Sequence, residues 1–355
     1  MSETTIETIG CDLGDKTSEI CVLGADADKQ RTSVRTTRKA MTAFFSRERA
    51  HVVIEVGAHS RWVKTLLEDL GHQVTVANPR RLKVISQSDS KTDKHDAELL
   101  ARLGRVDVEL LAPVKHRHSK AQVDLAVPKA RDALVRTRTK LVNHVRGTLK
   151  SFGEPLPKCS AESFARRTRD LIPTNLKPAL DPIYETLDKV EEQIRQHDQT
   201  IERVAERYPE IDAITQPNGV GVLTGLVYML TIEDKTRFPK SRMAGAFLGL
   251  RPRKSESGSS DPQLRITKAG DPFARRLLVT AANYILGAFG KDSDLRRWGL
   301  ELAKRGGKNA KKRAKVAVAR KLAVLMHRLW VTGEVYEPLG YQRRRLDAPP
   351  AVAAA

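Results

Sequence analysis

Leu180, Ile183, Leu187, Val190, Ile194, Ile201 and Val204 step along the chain by 3, 4, 3, 4, 7 and 3 residues. That rhythm keeps one apolar stripe in line only on an α-helix, and it marks an a/d seam more than three heptads long. His197 falls on the core position the seam skips. A helix of that length must bury its stripe against another. The segment 120–150 supplies one, with Leu134, Leu141, Val145 and Leu149 at helical spacing between Arg and Lys. Pro155, Pro157, Pro173 and Pro178 punctuate the connector between the two. The pattern predicts an antiparallel hairpin or a coiled-coil contact, and an intramolecular bundle without a partner fits it equally.

Residues 5–105 follow a different rhythm. A strand is expected over 5–13, a tight turn at Gly14-Asp15-Lys16, and a returning strand over 18–23, with a third near 32–36. A helix follows over 38–48. The β-branched run Val52-Val53-Ile54-Glu55-Val56 suits a buried central strand. An amphipathic helix over 60–70 ends at Gly71, and a short strand covers 74–76. Asn78-Pro79 opens a further helix and 92–103 forms another. A hairpin followed by β/α alternation predicts a mixed sheet with helices packed on it. The expected organisation is an α/β domain over 1–115, a long helical, coiled-coil region over 116–207, a mainly α domain over 208–340, and a frayed Ala/Pro-rich tail over 341–355.

Charge narrows the function. Lys and Arg number 63 against 43 Asp and Glu, a net charge of +20 on a chain of 355 residues that is 40% hydrophobic. A folded protein with that excess favours a polyanionic partner, nucleic acid or an anionic membrane. The most apolar stretch, 220–230, is too short to span a bilayer, and the acidic start MSETTIETIG lacks the basic segment of a signal peptide. No membrane partner is expected, and a cytoplasmic location is. Three cysteines without a CxxC read as reduced thiols, and His116 and His118 as exposed or phosphate-contacting imidazoles.

Basic residues concentrate late in the chain. Residues 301–330 hold ten, among them Lys304, Arg305, Lys308, Lys311, Lys312 and Arg313, against the single acid Glu301. With Val316, Val318, Leu322, Leu325 and Leu329 between them they read as one basic helix with a buried face, placed to contact phosphates. Gly219-Val220-Gly221, before the apolar segment 222–230, resembles the turn of a helix-hairpin-helix element, whose backbone N–H groups can hold a phosphate; a tight inter-helix turn explains the same glycines.

The carboxylates of the first domain carry the chemistry. Asp12 ends a strand among Ile, Cys and Leu, and Glu55 closes Val-Val-Ile. An unpaired buried carboxylate is costly there. Asp93 and Asp96 share one helix face. Taken singly, Asp12 suits a turn and Asp93 a helix N-terminus. Together the four make an oxygen-rich pocket suited to one or two Mg²⁺ ions, which can activate a nucleophile and stabilise a leaving oxygen in phosphoryl transfer.

These residues, with GCDLGDKTSE, VVIEVGAHSRW, ANPRRLKVISQSDSKTDKHDAELLAR, GVGVLTGLVYML, RFPKSRMAGAFLGLRPRKSESG and LRITKAGDPFARRLL, resemble the IS110 family of insertion-sequence transposases, and its IS1111 branch above all. The resemblance runs from about residue 6 to residue 340. It implies a RuvC-like, RNase H-like fold for the first domain, with Asp12, Glu55, Asp93 and Asp96 as its DEDD metal set. It also implies a catalytic serine after Gly249-Leu250-Arg251-Pro252, best matched by Ser257 before Gly258, with Ser255, Ser259 and Ser260 as neighbours in register. Read from the residues alone, this is a Ser/Gly loop flanked by Arg251, Arg253, Lys254, Arg265 and Lys268, suited either to a scissile phosphate or to solvent.

The family resemblance implies excision and integration of an element through a phosphoserine link. It also implies pairing of donor and target double-stranded DNA with a structured non-coding guide RNA, in the cytoplasm of a prokaryote at the nucleoid. A recombinase must handle at least two duplexes, which predicts a homo-oligomer, dimer or tetramer, joined in part by the 180–204 seam. A metal-dependent junction nuclease that uses water, and a non-catalytic nucleic-acid scaffold, are the competing expectations.

Overall fold

The computed structural model describes residues 6–24, 28–80, 92–258, 260, 262 and 264–340. Contacts divide the chain into two compact units, Met1–His116 and Arg117–Ala355. The helix expected from Asn78-Pro79 falls mainly on residues outside those described, as does the tail 341–355.

The first unit is a five-stranded mixed sheet in the order β3-β2-β1-β4-β5. β1 (Thr8–Asp12), β2 (Thr17–Leu23) and β3 (Lys29–Arg35) form an antiparallel meander, and β4 (His51–Glu55) and β5 (Gln73–Ala77) lie parallel to β1. The third strand is longer than its sequence suggests. Its residues are nearly all exposed, so pairing with β2 rather than an apolar pattern defines it.

Side chains alternate across the sheet. Ile9, Cys11, Ile20, Val22, Val52 and Ile54 share a core with Met41 and Phe45 of α1 (Arg38–Phe45) and with Val63 and Leu67 of α2 (Ser60–Asp69). Gly10, Cys21, Val53 and Ala77 face the other side, where α3 (Asp93–Val106) packs through Ala97, Leu100 and Ala101. The unit is thus three layers, helix–sheet–helix. Gly10 lets α3 settle close, since a Cβ there would overlap the Ala97 carbonyl and the Ala101 amide. Further along, Gly104 meets Val53, His51 and Thr8. The helix therefore runs antiparallel to β1, with its N-terminus at the strand's C-terminal end.

Glu98 of α3 ties the helix to the sheet edge. Its buried carboxylate accepts from Arg31, from Lys29 at 3.1 Å and from Arg102 at 2.7 Å. The Arg31 hydrogen bond, with Lys29 and Arg102, holds its pKa down to about 2 from 4.5. A depressed folded pKa stabilises above the unfolded value and is lost as pH falls through the folded one. The expected result is acid destabilisation by about 2 kcal/mol between about pH 4.5 and pH 2, allowing for the exposed partners. Urea unfolding as a function of pH should show it in the wild type, and Glu98→Gln should flatten that part of the profile.

In the second unit α4 (Ser119–Ser151) and α6 (Lys177–Ala205) pack antiparallel. Val142, Val145 and Leu149 meet Leu180, Tyr184 and Leu187. Phe164 of the short α5 (Phe164–Thr168) stacks on Tyr184 with ring centroids 5.9 Å apart. Farther along, the seam turns polar on the α4 side. Arg138 pairs with Glu191 at 2.6 Å and Glu162 at 3.3 Å, Arg131 with Asp198 at 2.6 Å, and Arg207 with Asp124 at 2.7 Å. The predicted seam is therefore covered by the same chain. Leu180, Leu187, Val190, Ile194, Ile201 and Val204 are buried, which leaves those side chains unavailable to a second copy.

His197 does not fill a core position as expected. It is half-buried, its Nδ1 2.8 Å from the Gln193 carbonyl. A ring that can bond its own helix has less need of the seam.

The remaining helices surround α8 (Val222–Ile232), which is buried throughout from Gly225 to Ile232. α7 (Ile211–Thr215), α9 (Arg242–Phe247), α10 (Pro272–Leu286), α11 (Asp294–Lys304) and α12 (Ala310–Thr332) complete that unit. Tyr228 donates to the Ala323 carbonyl at 2.6 Å, locking α8 to α12. The basic stretch is not one helix. Gly306 and Gly307, at φ +80° and +85°, break it into α11 and α12. No described helix is long and apolar enough to cross a membrane.

Candidate active site and nucleic-acid groove

Cys11 pairs with Ile54 in the parallel β1–β4 ladder, so Asp12 and Glu55 follow side by side where the two strands end. Alternation places both on the face that α3 covers, because Gly10 and Val53, two residues back, contact that helix. α3 begins at this end of the sheet, with Asp93 and Asp96 in its first turn and Thr92 as N-cap. Asp96 is buried and Asp93 exposed. The topology thus carries all four acids to one corner. Their donors are all carboxylate oxygens, the kind Mg²⁺ takes. Among the described residues, no group of three or more His, Cys, Asp or Glu stands close enough to hold an ion in this arrangement.

Ser257 belongs to the second unit. It sits at the tip of a short ribbon in which the Arg253 amide donates to the Arg265 carbonyl and the Thr267 amide to the Arg251 carbonyl, both at 2.9 Å. The Ser257 amide donates to the Ser260 carbonyl at 3.2 Å, and the Ser260 amide donates back at 3.0 Å. Gly258 turns the tip at φ +55°.

The ribbon's root is rigid. Arg275 donates to the Leu248 carbonyl at 3.0 Å and the Ala269 carbonyl at 2.7 Å. Gly249 and Gly270, both at φ +71°, lie against neighbouring backbone where a Cβ would not fit. Lys268 holds the left-handed region without being glycine, at φ +55°. Ser257 thus stands on an exposed turn above an anchored base.

Of the flanking cations, Arg251, Arg253 and Lys254 are exposed, and Lys254 pairs with Glu256. The ribbon forms one wall of a groove of about 2610 Å³, with Pro252, Leu264, Arg265, Ile266 and Lys268 on that side and α11 and α12 on the other. Arg305, Lys312 and Arg313, which the sequence reading assigned to phosphate contact, line it. So do Arg320, Arg328 and Lys321, the last with Nζ 3.8 Å from the Trp298 ring centroid. Lys304, which pairs with Glu301 at 2.7 Å, and Lys308 and Lys311 are exposed but do not line the groove.

Gly219 and Gly221 differ in role. At φ +90° Gly219 presses on α10, where a Cβ would come within 2.9 Å of the Tyr284 ring, so packing alone requires it. Gly221 caps α8 with open space before it. His118 is exposed but engaged, its Nδ1 2.6 Å from Glu233.

The DEDD transposase model of the IS110 elements matches residues 9–153, and the model of the IS116/IS110/IS902 transposase family matches residues 212–294. Both models describe transposases of the IS110 type, and together they cover more than half of the chain. It is 28% identical over 343 residues to the transposase for insertion sequence element IS1111A of Coxiella burnetii, covering 93% of this chain and 91% of that protein. A probable family 20 transposase of Pseudomonas aeruginosa is 26% identical, over 94% of this chain and 99% of the relative. The transposase for insertion sequence element IS1328 of Yersinia enterocolitica is 29% identical, over 65% of this chain and 69% of its own.

The first IS110 match spans Asp12, Glu55, Asp93 and Asp96, and the second spans Gly219 through Lys268 with Ser257, whereas residues 304–313 lie beyond both. Sequence reasoning missed Glu98, whose three cations come from β3 and the next turn of α3. Arg320, Lys321 and Arg328, which the sequence reading counted among the ten basic residues of 301–330, line the groove as well.

Proposed function

We propose that this IS110-family transposase excises and integrates an insertion sequence by serine-mediated strand exchange. The observation that supports the reading is that β1 and β4 end, and α3 begins, at the same end of the sheet, which sets Asp12, Glu55 and the first turn of α3 toward one corner. A strand order with three antiparallel strands and two parallel ones supports an RNase H-like, RuvC-like domain. Asp12, Glu55, Asp93 and Asp96 would hold one or two Mg²⁺ ions; bound there, the metal neutralises phosphate charge and lowers the barrier to phosphoryl transfer.

Ser257 Oγ attacks the scissile phosphorus. The Ser257 O–P bond forms, the bond from phosphorus to a deoxyribose oxygen breaks, the serine proton leaves, and the departing oxygen takes up a proton. The link keeps the phosphodiester energy, so a hydroxyl of the exchanged strand can reverse the step and free the serine. Arg265, Lys268, Arg305, Lys312 and Arg313 hold the nucleic-acid backbone along the groove.

A groove that offers cations and apolar walls is suited to backbone and shape rather than base identity, which supports a structured non-coding guide RNA whose pairing to donor and target DNA selects the sequence. Handling two duplexes requires a dimer or tetramer. With the helical seam occupied within the chain, its contacts lie elsewhere.

The test is a suicide DNA substrate with the guide RNA supplied. The expected result is protein covalently attached to DNA in the wild type and none with Ser257→Ala. Full cleavage by Ser257→Ala with no adduct in the wild type would replace this reading with the water-using junction nuclease.

A further inference from the structure

We infer that Phe289 is a base-stacking wedge, a contact for an unpaired or branch-point base of the bound nucleic acid; the inference rests on the functional reading above. Phe289 is 82% exposed, on the turn between α10 and α11. A ring so exposed makes little contact with its own fold. Yet the turn that carries it is held firmly. Arg296 of α11 donates to the carbonyls of Ile285 and of Gly287, the latter at 2.7 Å. The Gly290 amide donates to the Gly287 carbonyl at 3.3 Å. A Cβ on Gly290 would overlap the Ile285 carbonyl and the Arg296 guanidinium, so only glycine fits. The ring is presented on a backbone with one path, and little further ordering is needed when a partner arrives.

The surroundings select the partner. Asn283, Lys291 and Asp292 are exposed polar neighbours in sequence, and Asp292 is engaged by Arg297 at 2.8 Å. A protein interface buries its aromatic anchors within a wider apolar patch, whereas the chain around this ring is mostly polar. An exposed aromatic ring two residues from a lysine matches a base with its flanking phosphate. The Lys291 amide also donates to Asn218 Oδ1 at 3.3 Å, which ties this turn to the one carrying Gly219 and Gly221. Tyr284, 43% exposed, lies against Gly219 between them. A net charge of +20 completes the complementarity to a polyanion.

The experiment compares wild type, Phe289→Ala, Phe289→Trp and Lys291→Ala, as full chains, on a plain duplex and on the same duplex with a bulged 2-aminopurine. Fluorescence anisotropy gives affinity and 2-aminopurine emission gives stacking. Phe289→Ala should lose roughly ten- to hundredfold in affinity for the bulged duplex, along with the emission change. Its plain-duplex affinity, salt dependence and melting temperature should match wild type. Phe289→Trp should retain the signal. Lys291→Ala should weaken both substrates alike and lower the salt slope by about one. Wild-type behaviour of Phe289→Ala on the bulged substrate overturns the wedge while the functional reading stands. Failure of the wild type to bind either DNA with the guide RNA supplied overturns that reading and the wedge with it.

Discussion

Asp12→Asn is expected to lower the rate of strand cleavage by roughly three orders of magnitude, the scale on which loss of one charge-stabilising group slows a reaction, with nucleic-acid affinity unchanged. Asp12 and Glu55 end neighbouring parallel strands on the face that α3 covers. An amide keeps the size of Asp12 and removes the charge a divalent cation needs. Single-turnover cleavage measures the rate, and filter binding measures affinity. Glu55→Gln should behave the same way. Asp93 allows a sharper test because it is exposed in the first turn of α3. If it is a ligand, Asp93→Asn loses as much as Asp12→Asn. If its carboxylate only faces the helix dipole, the loss stays within about fivefold. A cleavage rate for Asp12→Asn within tenfold of wild type would remove the acidic corner from the mechanism.

Gly10→Val is expected to unfold or severely destabilise the first unit, by about 3 kcal/mol or more, since the added atoms meet backbone rather than yielding side chains. The new Cβ would overlap the Ala97 carbonyl and the Ala101 amide, so α3 must lift from β1. Because the same helix carries Asp93 and Asp96, cleavage should fall with stability. The comparison is Gly57→Ala, where nothing lies within 4 Å of the added carbon and little change is expected. Thermal unfolding followed by circular dichroism, with a drop of about 10 °C or more for Gly10→Val, checks it; equal melting temperatures for the two variants would contradict the close α3–β1 approach.

Much of the first unit is written in local pattern. The hairpin at Gly14-Asp15-Lys16, the buried run Val52–Ile54 and the stripe Val63–Leu67 all emerge as elements close to where they were expected. They do so because strand and helix periodicities differ and each segment buries one clear face. β3 is less legible, for its exposed residues owe their form to β2. The break at Gly306-Gly307 was visible as a glycine pair, but the surrounding lysines and apolar residues kept helical spacing across it. Glycine at positive φ interrupts a helix without disturbing that spacing.

Asp12 and Glu55 stand out in the amino-acid sequence as carboxylates ending apolar strands, and Asp93 and Asp96 as a pair on one helix face, whereas Ser257 was marked only by the resemblance to the IS110 family. Which face of the sheet the carboxylates share, and that α3 starts at their end, followed only from strand register and the closeness permitted by Gly10. The tertiary structure likewise decided that the long apolar seam is satisfied within one chain, with arginine–carboxylate pairs running alongside it. The physical reason is common to both: periodicity along a chain states that a face must be buried or a charge met, while the partner that does so comes from residues distant in sequence.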